Sequence, residues 1–287
     1  MQAVLTLGGI AFDGGANITR NGHGWGLQAI TDWHSLTASK AQINERPQAH
    51  GAFDPGTDWR KSTANEIKAA YWGHDHNDLI RAIQQLTALA NRDELMECTM
   101  DVDGVVLRRM VSVRNVDVPD TRGRSNIDGV AVDVLAPDPR AYGPVSVNST
   151  GLARHGGGIV FPVVSPVDFG TPGADGRTVF TNTGTAVTSV TMTVTGGGSR
   201  GIVLKRVENG ATLILSRACN PDDSTVFDSA DGSVLLAGQA ELSGWMTSDD
   251  FDGFDVRPGE TCTVQFGVLG DPVGFPRLEM SAAPAYW

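Results

Sequence analysis

The stretch that decides the fold is residues 127–136, IDGVAVDVLA, which runs directly into PDPRAYG at residues 137–143. Apolar and β-branched residues alternate with small or acidic ones in this run, which predicts a strand, and the prolines that follow end it. The run divides the chain into two parts with different patterns. One amphipathic helix lies among short strands before it, whereas only strands and turns are predicted after it. Neither part shows a convincing catalytic constellation, so the pattern favours a structural building block over an enzyme.

The length of 287 residues is typical of two domains. We predict a first domain over residues 1–142, a connector over 143–172 with a short strand at 158–164, and a β-sandwich over 173–287. The 35 glycines cluster at predicted turns and form no repeat, which fits strands joined by tight turns. The fold class predicted from the residues is therefore mainly β.

The charge balance is acidic, with a formal net charge of −11. Binding to nucleic acid without sequence preference needs clustered Lys and Arg, and no basic stripe is present, so we expect no DNA or RNA binding. Three scattered cysteines are too few for a disulfide framework and fit a protein made in a reducing cytoplasm. No signal peptide and no membrane anchor are predicted.

The clearest helix is predicted over residues 77–91, with Asp75 or Asn77 as its cap. Its apolar residues recur at steps of three and four and share one face: Leu79, Ile80, Ile83, Leu86, Leu89 and Ala90. A hairpin follows, because Asp103-Gly104 lies between the β-prone runs 95–100 and 105–110. Two further strands are predicted at 110–118 and 127–136.

In the second half, strand-like runs recur about every ten residues, and this spacing predicts an antiparallel β-sandwich. Turn signals include the glycine triplet 196–198, Asn209-Gly210 and Asp231-Gly232. The candidate strands are 178–182, 189–195, 201–207, 211–216, 224–228, 233–236, 259–266 and 276–282.

Three motifs invite a chemical interpretation. His74 and His76 could form a metal pair, although their place at a helix cap is the more economical interpretation. Asp101-Val102-Asp103-Gly104 is similar to the start of a calcium loop, but Ser112 occupies the twelfth position, where a glutamate is needed. The acidic run 249–255 could supply the paired carboxylates of a glycosidase, or could be a solvated loop. We therefore predict no catalytic residue, no metal site and no cofactor.

Two groups of residues are singled out for other reasons. Asp138, Pro139, Arg140 and Tyr142 end the decisive strand and are predicted to form a structural domain junction. Trp245, Tyr286 and Trp287 are candidates for contact with a ligand or with a neighbouring subunit, because exposed aromatic faces favour both.

The order of these features resembles the distal tail proteins of long-tailed bacteriophages, a family of phage minor tail proteins. The resemblance rests on His50-Gly51, the helix at 77–91, the strand ending in residues 138–142, and the run 182–186. It continues through Asn209-Gly210, residues 226–238, Trp245 and residues 257–261. Two features depart from the family's pattern: the polar segment 47–73 is hard to place on it, and the C-terminal half carries no sugar-binding signature. The high content of glycine and alanine in the sequence indicates a phage of an actinobacterial host.

The resemblance implies a two-domain fold and a structural role. The first domain would be a tail-tube-like β-sandwich or split barrel with one flanking α-helix, and the second a galectin-like jelly-roll β-sandwich. Six copies would form a hexameric ring that joins the tail tube to the tail tip. The implied partners are the tail tube protein, the tape-measure protein, the tail hub or tail-associated lysin, and receptor-binding proteins.

The same resemblance places the protein in the virion, at the phage tail tip, after assembly in the host cytoplasm. DNA would pass through the ring without being specifically bound, and six chains would carry a formal charge of −66, six times −11. The alternative function is a carbohydrate-binding module that contacts the host cell surface through Trp245 or Trp287. A glycosidase that uses the carboxylates of residues 249–255 is a third hypothesis.

Overall fold

The computed structural model describes residues 3–14, 22–54, 56, 59–154 and 173–287. The chain forms two compact units, Met1–Gly143 together with Trp287, and Pro144–Tyr286. Strands dominate both units, which confirms the predicted mainly β fold class. The strand predicted at 158–164 lies outside the described residues.

The first unit is built on a closed barrel of seven strands. Its strand order is β6-β5-β1-β2-β3-β4-β7, and a pairing of β7 with β6 completes the circle. Neighbouring strands are antiparallel except β2 and β3, which run parallel. The strands are β1 (Ala3–Leu7), β2 (Ile10–Asp13), β3 (Gly24–Ile30), β4 (Thr63–Trp72), β5 (Met96–Val102), β6 (Val105–Asp117) and β7 (Asn126–Ala136), with the short β8 (Ala141–Tyr142) paired to β6.

The helix α1 spans His76–Ala88 and continues as a 3-10 helix at Leu89–Asn91. Its N-cap is Asp75, one of the two predicted caps, whose carboxylate accepts a hydrogen bond from the Asp78 amide. Leu79, Leu86 and Leu89 join the barrel core as the spacing predicts, and so does Ala82, while Ala90 is exposed.

The predicted hairpin between β5 and β6 is present. Asp103 and Gly104 form its two-residue turn with φ angles of 51° and 89°, both in the left-handed region that this turn requires. The two strands predicted at 105–110 and 110–118 are one continuous strand, β6, because β5 pairs with its first half and β7 with its second.

Between β3 and β4 the chain makes a long excursion, which we call the arm; its described residues are 31–54, 56 and 59–62. Its two sides run antiparallel and are joined by bridges between Ser39 and Arg60 and between Glu45 and Ala52. Residues 46–51 form its tip. Within the segment 47–73, the described residues before residue 63 therefore belong to the arm, and residues 63–72 form β4.

The second unit consists of two antiparallel sheets that share one core. The five-stranded sheet has the order β10-β18-β12-β13-β17, and the six-stranded sheet has the order β16-β15-β14-β11-β19-β9. The strands of the two sheets are β9 (Ser146–Gly151), β10 (Arg177–Thr181), β11 (Val190–Gly198), β12 (Gly201–Arg206), β13 (Thr212–Leu215), β14 (Ser224–Asp228), β15 (Ser233–Leu236), β16 (Ala240–Glu241), β17 (Met246–Asp249), β18 (Thr261–Leu269) and β19 (Pro272–Ala282). The short strand β20 (Ala285–Tyr286) belongs to neither sheet, and 3-10 helices lie at Ser243–Trp245 and Asp252–Phe254.

The glycine triplet 196–198 was predicted as a turn, and this prediction is wrong. The three glycines end β11 and are buried where the strand contains a bulge. A side chain would not fit there, because a Cβ on Gly198 would lie 2.3 Å from the Leu269 carbonyl oxygen. The actual turn is the pair Ser199-Arg200 that separates β11 from β12.

Candidate functional site

The residues predicted as a junction form a hydrogen-bonded cluster at the end of the first unit. The Arg140 guanidinium donates to both carboxylate oxygens of Asp138, at 3.0 Å from Nε to Oδ1 and 2.8 Å from Nη2 to Oδ2. The Tyr142 hydroxyl donates to the same carboxylate at 2.6 Å, and the Arg140 guanidinium lies 5.6 Å from the centre of the Tyr142 ring. Pro139, between them in the chain, is half-buried. The cluster fixes the backbone that follows β7, and its role as a domain junction stays a prediction.

Burial and hydrogen bonding oppose each other at this cluster. Burial alone would raise the pKa of the Asp138 carboxyl, but hydrogen bonds from Arg140 and Tyr142 outweigh it and hold the pKa below its usual value. Burial, together with the hydrogen bond to Asp138, raises the pKa of the Tyr142 hydroxyl. The carboxylate is therefore charged and the phenol neutral at neutral pH, which is the combination that the hydrogen bonds need.

A second polar group anchors the arm to the barrel. Arg109 is 3% exposed and points into the core, where its Nη1 donates to the Trp33 carbonyl at 2.9 Å and its guanidinium lies 4.6 Å from the Trp33 ring. Burial lowers the pKa of Arg109. Asn65 of β4 donates to the Thr31 carbonyl at 2.8 Å. Sequence reasoning missed this anchor, because a single Arg in a strand gives no sign of the direction in which it points.

The start of α1 brings together the polar residues that were considered as a metal pair. The Tyr71 hydroxyl and the His74 amide both donate to the Asp78 carboxylate, at 3.2 and 3.1 Å. The His74 ring stacks on His23, with the ring centres 3.2 Å apart, while His76 contacts the Arg124 carbonyl at 2.9 Å. The two histidines that were considered as a metal pair therefore face different partners. No group of three or more His, Cys, Asp or Glu side chains that could hold a metal ion occurs among the described residues.

A polar groove of about 720 Å³ lies on the second unit beside Arg206. Arg206 is buried, and its Nη1 donates to the carbonyls of Gly253 and Asp255 at 2.9 and 2.7 Å. Its Nη2 donates to Glu260 and to the Thr261 carbonyl. The guanidinium thus holds the loop over residues 252–261 in place, because its donors are directed at backbone carbonyls of that loop.

The acidic run 249–255 is divided between structural and exposed positions. Phe251 and Phe254 are buried in the core of the second unit, and residues 252–254 form a 3-10 helix. Asp252 and Asp255 line the polar groove. Asp249 ends β17 and pairs in register with Leu213.

The aromatic residues predicted as contact sites differ in exposure. Trp245 ends a 3-10 helix and is 56% exposed, Trp287 is 48% exposed, and Tyr286 is half-buried in β20. Their role in binding stays a prediction.

The thiols of Cys98, Cys219 and Cys262 are buried, and burial raises the pKa of Cys98 and of Cys262 to about 12. Among the described residues, no helix combines the length and the apolar character needed to cross a lipid bilayer.

Large apolar side chains are exposed in two places on the first unit. The arm exposes Leu36, Ile43, Phe53 and Trp59, each by more than half. The second place, which we call the outer β5–β6 face, exposes Leu95, Val106 and Met110, which lie on the same side of the sheet. Beside it lies a groove of about 430 Å³ whose walls include Glu94, Leu95 and Glu97. Sequence reasoning did not find either surface, because both look like ordinary strand or loop sequence.

Comparisons with known proteins identify the class of fold. No family model matches the chain, and no curated protein matches it. A solved structure described as the SPP1 Dit protein, a paradigm of the hub adsorption apparatus in phages that infect Gram-positive bacteria, matches with a TM-score of 0.62 and 15% identity over 99% of both chains. Two structures of the phage P2 baseplate in its activated conformation, with Ca and with Sr, match with TM-scores of 0.52 and 8% identity. The P2 matches cover 99% and 98% of this chain and 97% of theirs.

The chain therefore has the fold of phage tail hub and baseplate proteins. Within that class, the similarity extends over the whole length of a distal tail protein, so the fold implied by the sequence resemblance is confirmed. The actinobacterial host stays a prediction.

Proposed function

We propose that this protein is a structural component of a phage virion, a distal tail protein located at the tail tip. The observation that carries the proposal is the match with SPP1 Dit over 99% of both chains, because a shared two-unit architecture is harder to reach by chance than a single shared domain. Fold alone does not define function, so the proposal also needs support from surfaces. The two exposed apolar surfaces on one unit supply it, since large exposed patches mark sites of protein contact.

In this proposal six copies form a closed ring that joins the tail tube to the tail tip. The ring would contact the tape-measure protein on one side and hub, lysin and receptor-binding proteins on the other, and DNA would pass through it. The protein would be assembled in the host cytoplasm and would act without catalysis. The Arg206 guanidinium donates to backbone carbonyls of the loop beside the polar groove, which supports a structural role for that groove.

Mass measurement of the purified full chain by light scattering tests the ring. We expect a species of six times 30.3 kDa at high protein concentration, and electron microscopy should show rings with a central hole. Antibodies against the chain should label one end of the tail in phage particles. A chain that stays monomeric at every concentration and is absent from particles would contradict the proposal.

A carbohydrate-binding role for the second unit is the second candidate, and the exposed indole of Trp245 favours it. Exposed aromatic faces can stack on sugar rings. Binding of the full chain to host cell-wall polymer, lost in Trp245→Ala and retained in Phe275→Ala, would support it. Equal binding by both variants would exclude Trp245 as the contact.

A further inference from the structure

A bulge in the second unit holds one aromatic side chain almost completely in solvent. Strand β11 pairs with β19, and the register moves from Thr195 opposite Arg277 to Gly197 opposite Val273. One residue of β11 therefore faces three residues of β19, the segment 274–276, where a regular ladder would pair them one to one. Phe275, at the centre of this bulge, is 98% exposed. Bulges of this kind re-aim a side chain away from the regular face of a sheet.

The backbone is constrained on both sides of Phe275. Gly274 has a φ of 71°, and an added Cβ there would lie 3.0 Å from the Cβ of Pro221, so a side chain would be strained at this position. Pro276 is buried, and its ring disfavours the helical conformation for the residue before it. The aromatic side chain is thus presented by a backbone that is already ordered, which lowers the entropic cost of a contact.

An apolar groove of about 440 Å³ lies beside Phe275, whose side chain forms part of its wall. The other walls include Leu152, Ala153, Ala174 and Pro276. Apart from two arginines, the described residues that line the groove are all apolar residues or glycines. A volume in this range admits a small ligand or a few side chains of a partner.

The two charged side chains that line the groove are both positive. Arg154 and Arg277 are exposed, and no ion pair among the described residues includes either of them. The Nη2 of Arg277 donates to the Ser149 hydroxyl at 2.6 Å, a neutral partner. Residues 144–287 as a whole are acidic, with 8 Lys and Arg against 15 Asp and Glu. The groove is therefore a local exception that complements negative charge.

We propose that this groove, together with Phe275, binds a short acidic segment of another virion protein. An apolar side chain of the segment would lie in the groove against the Phe275 ring, and its carboxylates would pair with Arg154 and Arg277. Guanidinium groups bind carboxylates through two parallel hydrogen bonds, which gives the contact a direction. The inference rests on the proposed function, because a structural protein of a virion meets its partners through such surfaces.

An anionic polymer or an anionic bilayer fits this groove less well. Both extend their charge far beyond two arginines, so they would also meet the net negative charge of the rest of the second unit. A short segment places its carboxylates only beside the two arginines. A protein segment is therefore the occupant that the charge distribution favours.

Fluorescence anisotropy of the full chain with a synthetic peptide tests the site. The probe is a short labelled peptide in which two leucines lie between runs of glutamate, and the wild type should bind it saturably and more weakly at high salt. Phe275→Ser, and the double variant Arg154→Gln with Arg277→Gln, should each weaken binding about fivefold or more, because aromatic and Arg side chains dominate such contacts. Matched controls are Trp245→Ser, at another exposed aromatic residue, and Arg200→Gln, at an exposed arginine outside the groove. Both controls should bind the peptide as the wild type does.

The composition of the probe separates the possible occupants. Replacing the glutamates of the peptide by lysines, or its leucines by serines, should abolish binding. Vesicles of phosphatidylglycerol test a bilayer, and inorganic polyphosphate tests an anionic polymer. Binding of either one that depends on Phe275, without binding of the acidic peptide, would overturn the inference in favour of that class. Equal peptide binding by the wild type and the groove variants would overturn it as well.

Cross-linking in phage particles identifies the natural occupant. Benzoylphenylalanine in place of Phe275 should cross-link, under near-ultraviolet light, to a segment of a different virion protein that contains Asp or Glu beside apolar residues. A cross-link to another copy of this chain, or no cross-link in intact particles, would overturn the inference.

The outcomes separate the inference from the function on which it rests. A wild type that forms rings and is found in tails, but does not bind the acidic peptide, would overturn the inference and leave the proposed function intact. A chain that binds the peptide but is absent from phage particles would overturn the proposed function and leave the site for acidic segments supported. Peptide binding that depends on the groove residues, together with a cross-link to an acidic segment in the particle, would support both.

Discussion

Asp138 shows how one side chain can order the end of a strand. Its carboxylate accepts hydrogen bonds from the Arg140 guanidinium, the Arg140 amide and the Tyr142 hydroxyl. The Asp-Pro-Arg-Ala-Tyr sequence therefore has a local physical reason, whatever else the segment contacts. Each residue of the motif except Pro139 and Ala141 takes part through its side chain.

Replacing Asp138 with Ala should lower the free energy of unfolding by about 1–2 kcal/mol, because charged hydrogen bonds are lost from a partly exposed site. The native pKa of Asp138 is lowered, so its stabilising contribution is complete above the ordinary carboxyl pKa of about 3.9 and disappears as the pH falls through the native value. Urea unfolding at pH 7 and pH 3 measures both effects. The difference between variant and wild type should shrink at pH 3.

A matched control is Asp120→Ala. The Asp120 carboxylate forms an ion pair with Arg122, at 2.7 Å from Oδ2 to Nε, and both side chains are highly exposed. It should change the free energy of unfolding by less than about 0.5 kcal/mol. Equal losses for Asp120 and Asp138 would show that the cluster contributes no more than a surface ion pair.

Arg109 links a residue-scale contact to the position of the arm. Arg109→Met should free the root of the arm, because the variant loses the hydrogen bond to the Trp33 carbonyl and the contact with the Trp33 ring. Proteolysis within residues 31–62 should become several times faster while the barrel remains folded. Timed digestion followed by mass spectrometry measures the cleavage sites. Arg108→Met, one residue earlier and half-buried, should leave the arm as resistant as in the wild type.

At the scale of elements, the run 182–186 shows why a loop can be as constrained as a strand. Asn182 is fully buried, and its side-chain amide donates to the carbonyls of Ala186 and Val256 while its oxygen accepts from the Gly184 amide. Gly184 packs so closely that an added Cβ would lie 1.9 Å from the Ala285 carbonyl oxygen. The loop is thus fixed by the hydrogen bonds of the Asn182 side chain, and its close packing requires that residue 184 has no side chain.

Gly184→Ala should lower the free energy of unfolding by about 3 kcal/mol, at the upper end of the usual cost of overpacking, because backbone has to move to admit the methyl group. Differential scanning calorimetry of the full chain measures the shift. Gly244→Ala is the control, since a Cβ there meets no atom within 4 Å. Equal melting profiles for both variants would contradict the close packing at Gly184.

The sequence predicted the elements with strong periodicity and missed those formed by tertiary contacts. β14 and β15 have the predicted bounds, since both are short β-prone runs and the turn signal Asp231-Gly232 separates them. β4 was not predicted, because Ala64, Asn65, Glu66 and Lys68 have low strand propensity. It forms nevertheless, since β3 and β7 pair with it on its two sides and bury every second side chain.

The candidate site was predictable only where it is local in the chain. The Asp138 cluster lies within five consecutive residues, so the sequence pointed to it directly. The contact of Arg109 with Trp33 joins residues 76 positions apart, and the stacking of His23 on His74 joins residues from two different strand ends. Sequence periodicity carries no information about such distant pairs.

At the scale of the whole molecule, the acidic charge is unevenly divided. Residues 1–143 contain 14 Lys and Arg and 18 Asp and Glu, a formal charge of −4, whereas residues 144–287 contain 8 and 15, a formal charge of −7. In a ring of six copies, the first units together would carry a formal charge of −24, six times −4, out of −66 for the six whole chains. Most of the acidic excess thus belongs to the second unit, which weakens the idea that the full charge lines a passage for DNA.

The protein should still not retain DNA, because neither half has a net positive charge with which to displace counterions. Electrophoretic mobility of duplex DNA should be unchanged by the full chain at about 50 mM salt, where nonspecific binding is strongest. A saturable shift that disappears at higher salt would contradict this expectation and would point to a local basic surface.

The closed barrel also limits how copies of the chain can associate. Every strand of the barrel, β1 to β7, has a strand partner on each side, so the barrel has no edge strand, although β2 and β3 are joined by two residue pairs only. Contacts between barrels must use side chains, loops or the arm, and they cannot grow by adding strand after strand. Crowding many copies into one particle therefore carries little risk of fibrils seeded by this half of the chain.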